Sequence, residues 1–174
     1  MDRKGNKRVT IAYDGKHSLL RNAQHSCYYP DGGSSIRKVV YGQDFVREWN
    51  NLDKADKEVY LYVHGAESQL TFKDYSDLSL SDLKSLKRKK KIKKLFLLSC
   101  KGAAGGKKKS VAYNLYKKTG KRTKVYASRH SVSFRLVDTR IRTYYVPRYD
   151  KKYIEKHGII YYYKNPVKRM RWSK

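Results

Sequence analysis

Two residues with nucleophilic and acid–base chemistry, His64 and Cys100, each follow a short apolar run, at residues 59–63 and 95–99. Runs of this length, rich in branched and aromatic residues, are typical of strands buried on both faces of a sheet. A thiolate is a strong nucleophile and imidazole exchanges protons near neutral pH, so the pair suits thiol-dependent acyl transfer. The pattern therefore predicts a catalytic dyad at the carboxyl ends of two strands.

The segments around these runs alternate between strand and helix patterns. Strands are predicted at residues 9–13, 59–63, 95–100 and 123–128, with a short edge strand at 70–72, and helices at 43–52, 78–86 and 108–118. Such alternation favours an α/β fold with a mostly parallel central sheet. Ligands of parallel sheets bind outside the carboxyl ends of the strands, which is where His64 and Cys100 are expected.

Glycines follow both candidate residues, at Gly65 and Gly102. Acyl transfer needs backbone N–H groups directed at the developing oxyanion, and we expect the amides of Gly65 and Cys100 to supply them. The alternative is structural, because cysteine is often a buried core residue and a histidine can simply end a strand. Taken together, the placement of the two residues favours a site.

The order of strand, His-Gly, strand and Ser-Cys-Lys-Gly resembles the caspase-like clan of cysteine peptidases, which includes caspases, gingipains, clostripain and self-cleaving toxin domains. The resemblance covers about residues 9–128 and implies a caspase-like three-layer sandwich. It implies Cys100 as the nucleophile, His64 as general base or acid, and Gly65 as an oxyanion contributor. It further implies substrate-binding residues after the next strand, at Ser128 and Arg129. Arg129 would favour an acidic residue before the cleaved bond, although an ordinary exposed arginine is the plainer interpretation.

Residues 1–128 are accordingly predicted to form the catalytic core, and residues 129–174 a basic, tyrosine-rich β extension packed on the same domain. The extension alternates apolar and charged residues, which predicts antiparallel hairpins or an extended edge.

The charge of the chain is unusual, with 42 Lys and Arg against 15 Asp and Glu, for a net charge of +27. Such a protein attracts polyanions. Candidate patches are Lys87–Lys94, Lys107–Lys109, Lys117–Arg122 and Lys164–Lys174. They suit an acidic protein, either a substrate or an inhibitor or immunity protein, or else nucleic acid. The alternative functions are therefore a nucleic-acid-binding or RNA-cleaving toxin domain, with His64 or His130 as a base, and an interaction module without catalysis.

No spacing of Cys, His, Asp or Glu indicates a metal or cofactor site, and Cys27 and Cys100 do not form a disulfide scaffold. No apolar run approaches the roughly 18 residues of a membrane span. The charged first eight residues lack a signal peptide pattern. We expect a toxin or effector domain of a larger bacterial protein, secreted or delivered into a target cell and active in its cytoplasm.

Overall fold

The computed structural model describes residues 7–24, 36–132, 134–138, 143–147, 153–156, 159–162 and 168–172. The strands of the first half are β1 (Lys7–Tyr13), β2 (Ile36–Val39), β3 (Asp56–Tyr62), β4 (His64–Gly65), β5 (Gln69–Thr71) and β6 (Leu78–Ser79). Those of the second half are β7 (Lys94–Leu97), β8 (Lys124–Ala127), β9 (Phe134–Asp138), β10 (Thr143–Pro147), β11 (Tyr153–Lys156), β12 (Ile159–Tyr162) and β13 (Lys168–Arg169). The helices are α1 (Leu20–Gln24), α2 (Gly42–Asn50), α3 (Leu80–Ser85), α4 (Gly106–Lys109) and α5 (Val111–Lys118), with a 3-10 turn at Lys73–Tyr75.

The central sheet has six strands in the order β13-β8-β7-β3-β1-β2. All neighbouring pairs are parallel except β13 with β8, which are antiparallel. The predicted α/β fold with a mostly parallel central sheet is thus confirmed. Directly after β3, the strands β4, β5 and β6 form a small antiparallel sheet of their own.

The two faces of the central sheet bury different residues because side chains alternate along each strand. One face packs Ile11, Leu61 and Leu97 against α2, α3 and α5, whose buried side chains include Phe45 and Leu115. The other face carries a stack of Tyr60, Phe96 and Tyr126, with ring centroids 4.6 and 4.4 Å apart, and packs against α1. Helices therefore cover both faces and hold the strand ends in place.

The predicted strands and helices are present, with ends shifted by a few residues. The short helix α1 and the edge strands β2 and β13 had no predicted counterpart. In the C-terminal segment, β9 pairs antiparallel with β10 and β11 with β12, as expected for hairpins. Cys27 lies outside the described residues. Within the described part of the chain, no helix combines the length and the apolar character needed to cross a bilayer.

Candidate active site

The two candidate catalytic residues follow neighbouring strands whose last paired residues are in register. Strands β3 and β7 are parallel neighbours in which Leu61 is in register with Leu97, and the amide of Leu98 donates to the Leu61 carbonyl at 2.9 Å. His64 and Cys100 each lie three residues beyond this pair. Both residues are half-buried. The register thus brings the two residues to one edge of the sheet, as predicted.

The chain segments that carry these residues touch each other. A Cβ placed on Gly65 would lie 3.1 Å from the Ser99 hydroxyl oxygen and 3.2 Å from the Cys100 carbonyl oxygen. A Cβ on Gly102 would lie 2.9 Å from the same hydroxyl and 2.6 Å from a Leu97 methyl carbon. Both glycines therefore lie at close approaches of the chain, and a side chain at either position would meet the Ser99 hydroxyl.

The His64 ring is held by two contacts on the side of β1. Its Nε2 lies 2.8 Å from the carbonyl oxygen of His17, and its ring meets the Tyr13 ring edge-on with centroids 5.1 Å apart. A carbonyl only accepts hydrogen bonds, so Nε2 carries the proton and Nδ1 of the neutral ring is the acceptor. His17 itself has a left-handed φ of 58°, which costs free energy in a non-glycine residue and is often found at functional sites.

The Cys100 thiol forms two hydrogen bonds with the backbone of Val132. Its Sγ accepts from the Val132 amide at 3.3 Å, and the thiol donates to the Val132 carbonyl at 3.5 Å. The following residue, Lys101, has a left-handed φ of 52°, so the chain turns sharply after the thiol. Among the described residues, no hydrogen bond joins His64 to Cys100. Their backbones are brought together, while each side chain has a separate partner.

The amides of Gly65 and Cys100 are the predicted oxyanion donors. The amide of Ala66 donates to the Gln69 carbonyl at 3.0 Å, and Gly65 is the preceding residue of this hairpin, opposite Leu70. Hydrogen-bonded and non-bonded pairs alternate along antiparallel strands, so the Gly65 amide points away from its partner strand. Within the described residues, the Cys100 amide has no backbone acceptor.

The two predicted substrate-binding residues, Ser128 and Arg129, follow β8 and lie beside the nucleophile segment. The carbonyl of Ser128 accepts from the Ala103 amide and that of His130 from the Lys101 amide, both at 2.9 Å. Ser128 is buried, and its hydroxyl accepts from the His130 amide at 3.1 Å, whereas Arg129 is exposed.

Both residues line a cavity of about 400 Å³ between β8 and β13. Its other lining residues are Ala127, His130, Lys168, Arg169, Met170 and Arg171. The lining contains four Lys and Arg side chains and no carboxylate from the described chain, which suits an anionic group.

Sequence reasoning missed two residues whose backbone atoms bind the candidate side chains, His17 at His64 and Val132 at Cys100. Each acts through backbone atoms, so its side-chain type carries no signal that a sequence pattern could reveal. Only the chain path, which brings the loop after β1 to His64 and the segment after β8 to Cys100, identifies them.

No group of three or more Cys, His, Asp or Glu among the described residues could hold a metal ion. Comparison of the chain with protein-family models, with curated proteins and with solved structures finds no match. The geometry of the site is therefore the basis for a functional proposal.

Proposed function

We propose that the chain is a cysteine endopeptidase of caspase-like organisation, with Cys100 as the nucleophile and His64 as its base. The observation that carries the proposal is the contact of Gly65 with Ser99 and Cys100 at one edge of the sheet. This contact joins the chain segments that carry the thiol, the imidazole and the two amides. That set of groups is sufficient for acyl transfer without a metal ion.

In this proposal the Cys100 side chain rotates away from Val132 toward His64 when substrate binds. Catalytic hydrogen bonds are often absent or long in an empty site and form only with substrate. Nδ1 of His64 takes the thiol proton, and the sulfur attacks the carbonyl carbon of the peptide bond. The His17 carbonyl, which accepts from Nε2–H, orients the ring and stabilises the imidazolium that forms.

The amides of Gly65 and Cys100 donate to the oxyanion of the tetrahedral intermediate. The imidazolium then protonates the leaving amine, and the C–N bond breaks to leave a thioester on Cys100. His64 next takes a proton from water, which attacks the thioester and releases the carboxylate product. The proton returns to the thiol, and the enzyme is restored with one peptide bond hydrolysed and one water consumed.

The cationic cavity beside the nucleophile supports a preference for acidic residues before the cleaved bond. Arg129 is exposed, lines this cavity and directly precedes His130, whose carbonyl accepts from the Lys101 amide. We expect Arg129→Ala to reduce cleavage after Asp or Glu more than cleavage after uncharged residues. Lys38→Ala, which removes a cation from the opposite edge of the sheet, serves as the matched control. Equal losses in both variants would leave Arg129 as an ordinary surface residue.

The test of the main proposal uses wild-type protein and Cys100→Ala, His64→Ala and Cys27→Ser variants, each incubated with a bacterial lysate. New protein N-termini are mapped by mass spectrometry and RNA integrity is read in the same tubes. The expected result is a shared set of new termini with wild type and Cys27→Ser only. New termini that persist with Cys100→Ala would refute the assignment of the nucleophile.

A second measurement needs no substrate. Iodoacetamide alkylates thiolates, so the rate at which Cys100 is modified reports how readily His64 removes its proton. In the Cys27→Ser background we expect His64→Ala to slow this reaction below pH 8, where the unassisted thiol is largely protonated. The same rate and pH profile with and without the imidazole would show that the two residues do not act as a pair.

We also propose that the domain acts as a toxin or effector inside target cells, held silent by an acidic inhibitor protein. Its charge of +27 supports a strongly acidic partner. Expression of the wild-type domain in a bacterial cytoplasm is expected to arrest growth, and Cys100→Ala is expected to relieve the arrest. Arrest that is independent of Cys100 would separate toxicity from peptide-bond cleavage.

A further inference from the structure

A cluster of three aromatic side chains lies beside β13, in a groove that shares Arg169, Met170 and Arg171 with the cavity at Arg129. Tyr113 and Tyr116 of α5 meet Trp172, with ring centroids 5.4 and 5.0 Å from the indole. All three side chains are half-buried, so part of their surface faces solvent. They line a groove of about 440 Å³, whose other lining residues are Lys107, Lys121, Arg122, Thr123, Arg169, Met170 and Arg171. We call this the aromatic groove.

Basic runs that are far apart in the sequence meet at the aromatic groove. Lys107 comes from α4, Lys121 and Arg122 from the turn after α5, and Arg169 and Arg171 from the C-terminal strand. Three of the four basic patches predicted from the sequence therefore surround one set of aromatic rings. The sheet order places β13 next to β8, and this pairing brings Arg169 and Arg171 close to the patches that contain Lys107 and Lys121.

The remaining basic patch, Lys87–Lys94, contacts the end of α5 through its backbone. The amide of Lys89 donates to the Lys118 carbonyl, and Lys89 forms an isolated parallel bridge with Thr119. The Lys90 carbonyl lies only 2.5 Å from where a Cβ on Gly120 would stand. This patch therefore lies next to the turn that carries Lys121 and Arg122, while the Lys89 side chain itself donates to the carbonyls of Asn50 and Leu52.

The part of the sequence that forms α4, α5 and β8 is free of acidic residues. Residues 83–137 contain no Asp or Glu. Lys121, Arg122, Arg169 and Arg171 are all exposed, and no salt bridge joins any of the four to an acid of the described chain. The ion pairs of the described residues lie instead around β1 to β3, α2 and the turn at Lys73.

We propose that the aromatic groove binds single-stranded nucleic acid, with bases on the Tyr113, Tyr116 and Trp172 cluster and phosphates on the surrounding Lys and Arg. Proteins that bind single strands without sequence preference commonly combine basic side chains that bind the phosphates with aromatic side chains that stack on the bases. In a duplex the bases are already stacked and their faces are inaccessible, so the rings would contribute little. An acidic protein would use the cations but has no need of stacking surfaces.

The first measurement is fluorescence anisotropy with labelled oligo(dT) and oligo(U) of about 12 nucleotides, a length within the site sizes of known single-strand binders. Phosphate contact and stacking do not depend on the sugar, so we expect the two strands to bind with affinities within a few-fold of each other. A duplex of the same length is expected to bind more weakly. Tighter binding of the duplex, or equal displacement of the strand by polyglutamate, would overturn the assignment.

Salt dependence tests the cations. The affinity of a single strand falls with salt with a log–log slope of about −0.7 per phosphate neutralised, so Lys121→Gln with Arg122→Gln should reduce the slope by roughly 1.4. The matched control is Lys38→Gln with Lys73→Gln, which removes two cations far from the groove, on the side of the sheet where β2 forms the edge. If the control pair changes the slope as much as the groove pair, the binding reflects net charge alone and the groove is not the site.

Stacking is tested at Trp172, one of only two tryptophans in the chain. Trp49 is fully buried, so quenching of tryptophan emission by oligo(dT) in wild type is expected to vanish in Trp172→Phe. Trp172→Phe keeps a stacking ring and should bind nearly as well as wild type, whereas Trp172→Ala should lose roughly five-fold or more in affinity. Equal affinity of the Phe and Ala variants, with unchanged thermal melts, would refute the stacking contact.

This proposal is independent of the proposed peptidase activity. Cys100→Ala leaves the groove intact and is expected to bind the strand as tightly as wild type. The double variant Lys121→Gln with Arg122→Gln is expected to cleave short peptides at the same rate as wild type. A loss of strand binding in Cys100→Ala would contradict the placement of the two functions on separate surfaces.

Discussion

The contact between Gly65 and Ser99 can be tested through stability alone, without knowledge of a substrate. A Cβ on Gly65 would lie 3.1 Å from the Ser99 Oγ and 3.2 Å from its Cβ, about 0.3 Å closer than ordinary contact. Ser99 is only 2% exposed, so it has little room to move. Overpacking of this kind typically costs about 1–3 kcal/mol. The φ of Gly65 is not in the left-handed region, so alanine adds no backbone strain.

Three effects set the expected magnitude. Replacing glycine by alanine restricts the unfolded chain, which offsets about 0.4–1 kcal/mol of the steric cost, so Gly65→Ala should destabilise by about 1 kcal/mol. Ser99→Ala removes a buried hydroxyl that has no hydrogen-bond partner among the described residues and should be neutral or stabilising by up to about 1 kcal/mol. It also removes the closest steric contact, so the double variant should be more stable than the sum of the singles by about 0.5–1 kcal/mol.

The assay is urea denaturation of the four proteins of this cycle, followed by the emission of the buried Trp49. As the control pair, Gly65→Ala is combined with Thr123→Ala at the opposite end of the parallel strands, where additivity within about 0.5 kcal/mol is expected. Additivity of Gly65→Ala and Ser99→Ala would mean that the two residues do not touch. The assembly of His64 and Cys100 at one edge would then be wrong, whatever the activity of the protein.

Three further predictions concern the elements that hold the sites. Burial favours a higher pKa for Asp44, but the amides it accepts from, first that of Tyr41 at 2.9 Å, lower the pKa below its ordinary 3.8. Asp44→Asn should therefore lower the free energy of unfolding by about 1 kcal/mol at neutral pH. In denaturation at a series of pH values, this difference from wild type should shrink as the pH falls below 3.8, because Asp44 of wild type then becomes protonated. The hydroxyl of buried Ser110 caps α5 by accepting from the Tyr113 amide at 3.2 Å, so Ser110→Ala should lower stability by about 1 kcal/mol, and Ser110→Gly by less, in thermal melts. Leu97→Ala, at a fully buried position of β7, should lower the free energy of unfolding by about 2–5 kcal/mol with an unchanged urea m-value, whereas Leu97→Met should cost less than about 1.5.

The buried strands were predictable because their signal is local. Residues 59–63 and 95–98 are continuous apolar or aromatic runs, and a strand covered on both faces needs such a run. The edge strands β2 and β13 gave no such signal. Only Val39 of β2 is buried, and β13 consists of two exposed basic residues whose strand conformation comes from pairing with β8. Long-range pairing of this kind leaves little trace in the local pattern of apolar residues.

The same distinction applies to the candidate site. His64 and Cys100 could be predicted because their chemistry lies in the side chain and their position in the strand pattern. The groups that hold them, the carbonyl of His17 and the backbone of Val132, belong to every residue type and are selected by the path of the chain alone. Sequence reasoning therefore identifies the candidate side chains of such a site but not the backbone atoms that fix their orientation.

The pairing of the short strand β13 with β8 decides where the C-terminal basic patch lies. In the sequence the basic patches are four separate runs, for which a solvated surface is an adequate interpretation. The amide of Met170 donates to the Val125 carbonyl at 2.8 Å and holds residues 168–172 along the edge of β8. Arg169 and Arg171 then line both the cavity beside Arg129 and the aromatic groove. Cations concentrated at two adjoining concave surfaces that share Arg169 and Arg171 are more than solubility requires. This concentration supports the two proposals that need anionic ligands there, an acidic substrate side chain at the cavity and a nucleic-acid strand at the groove.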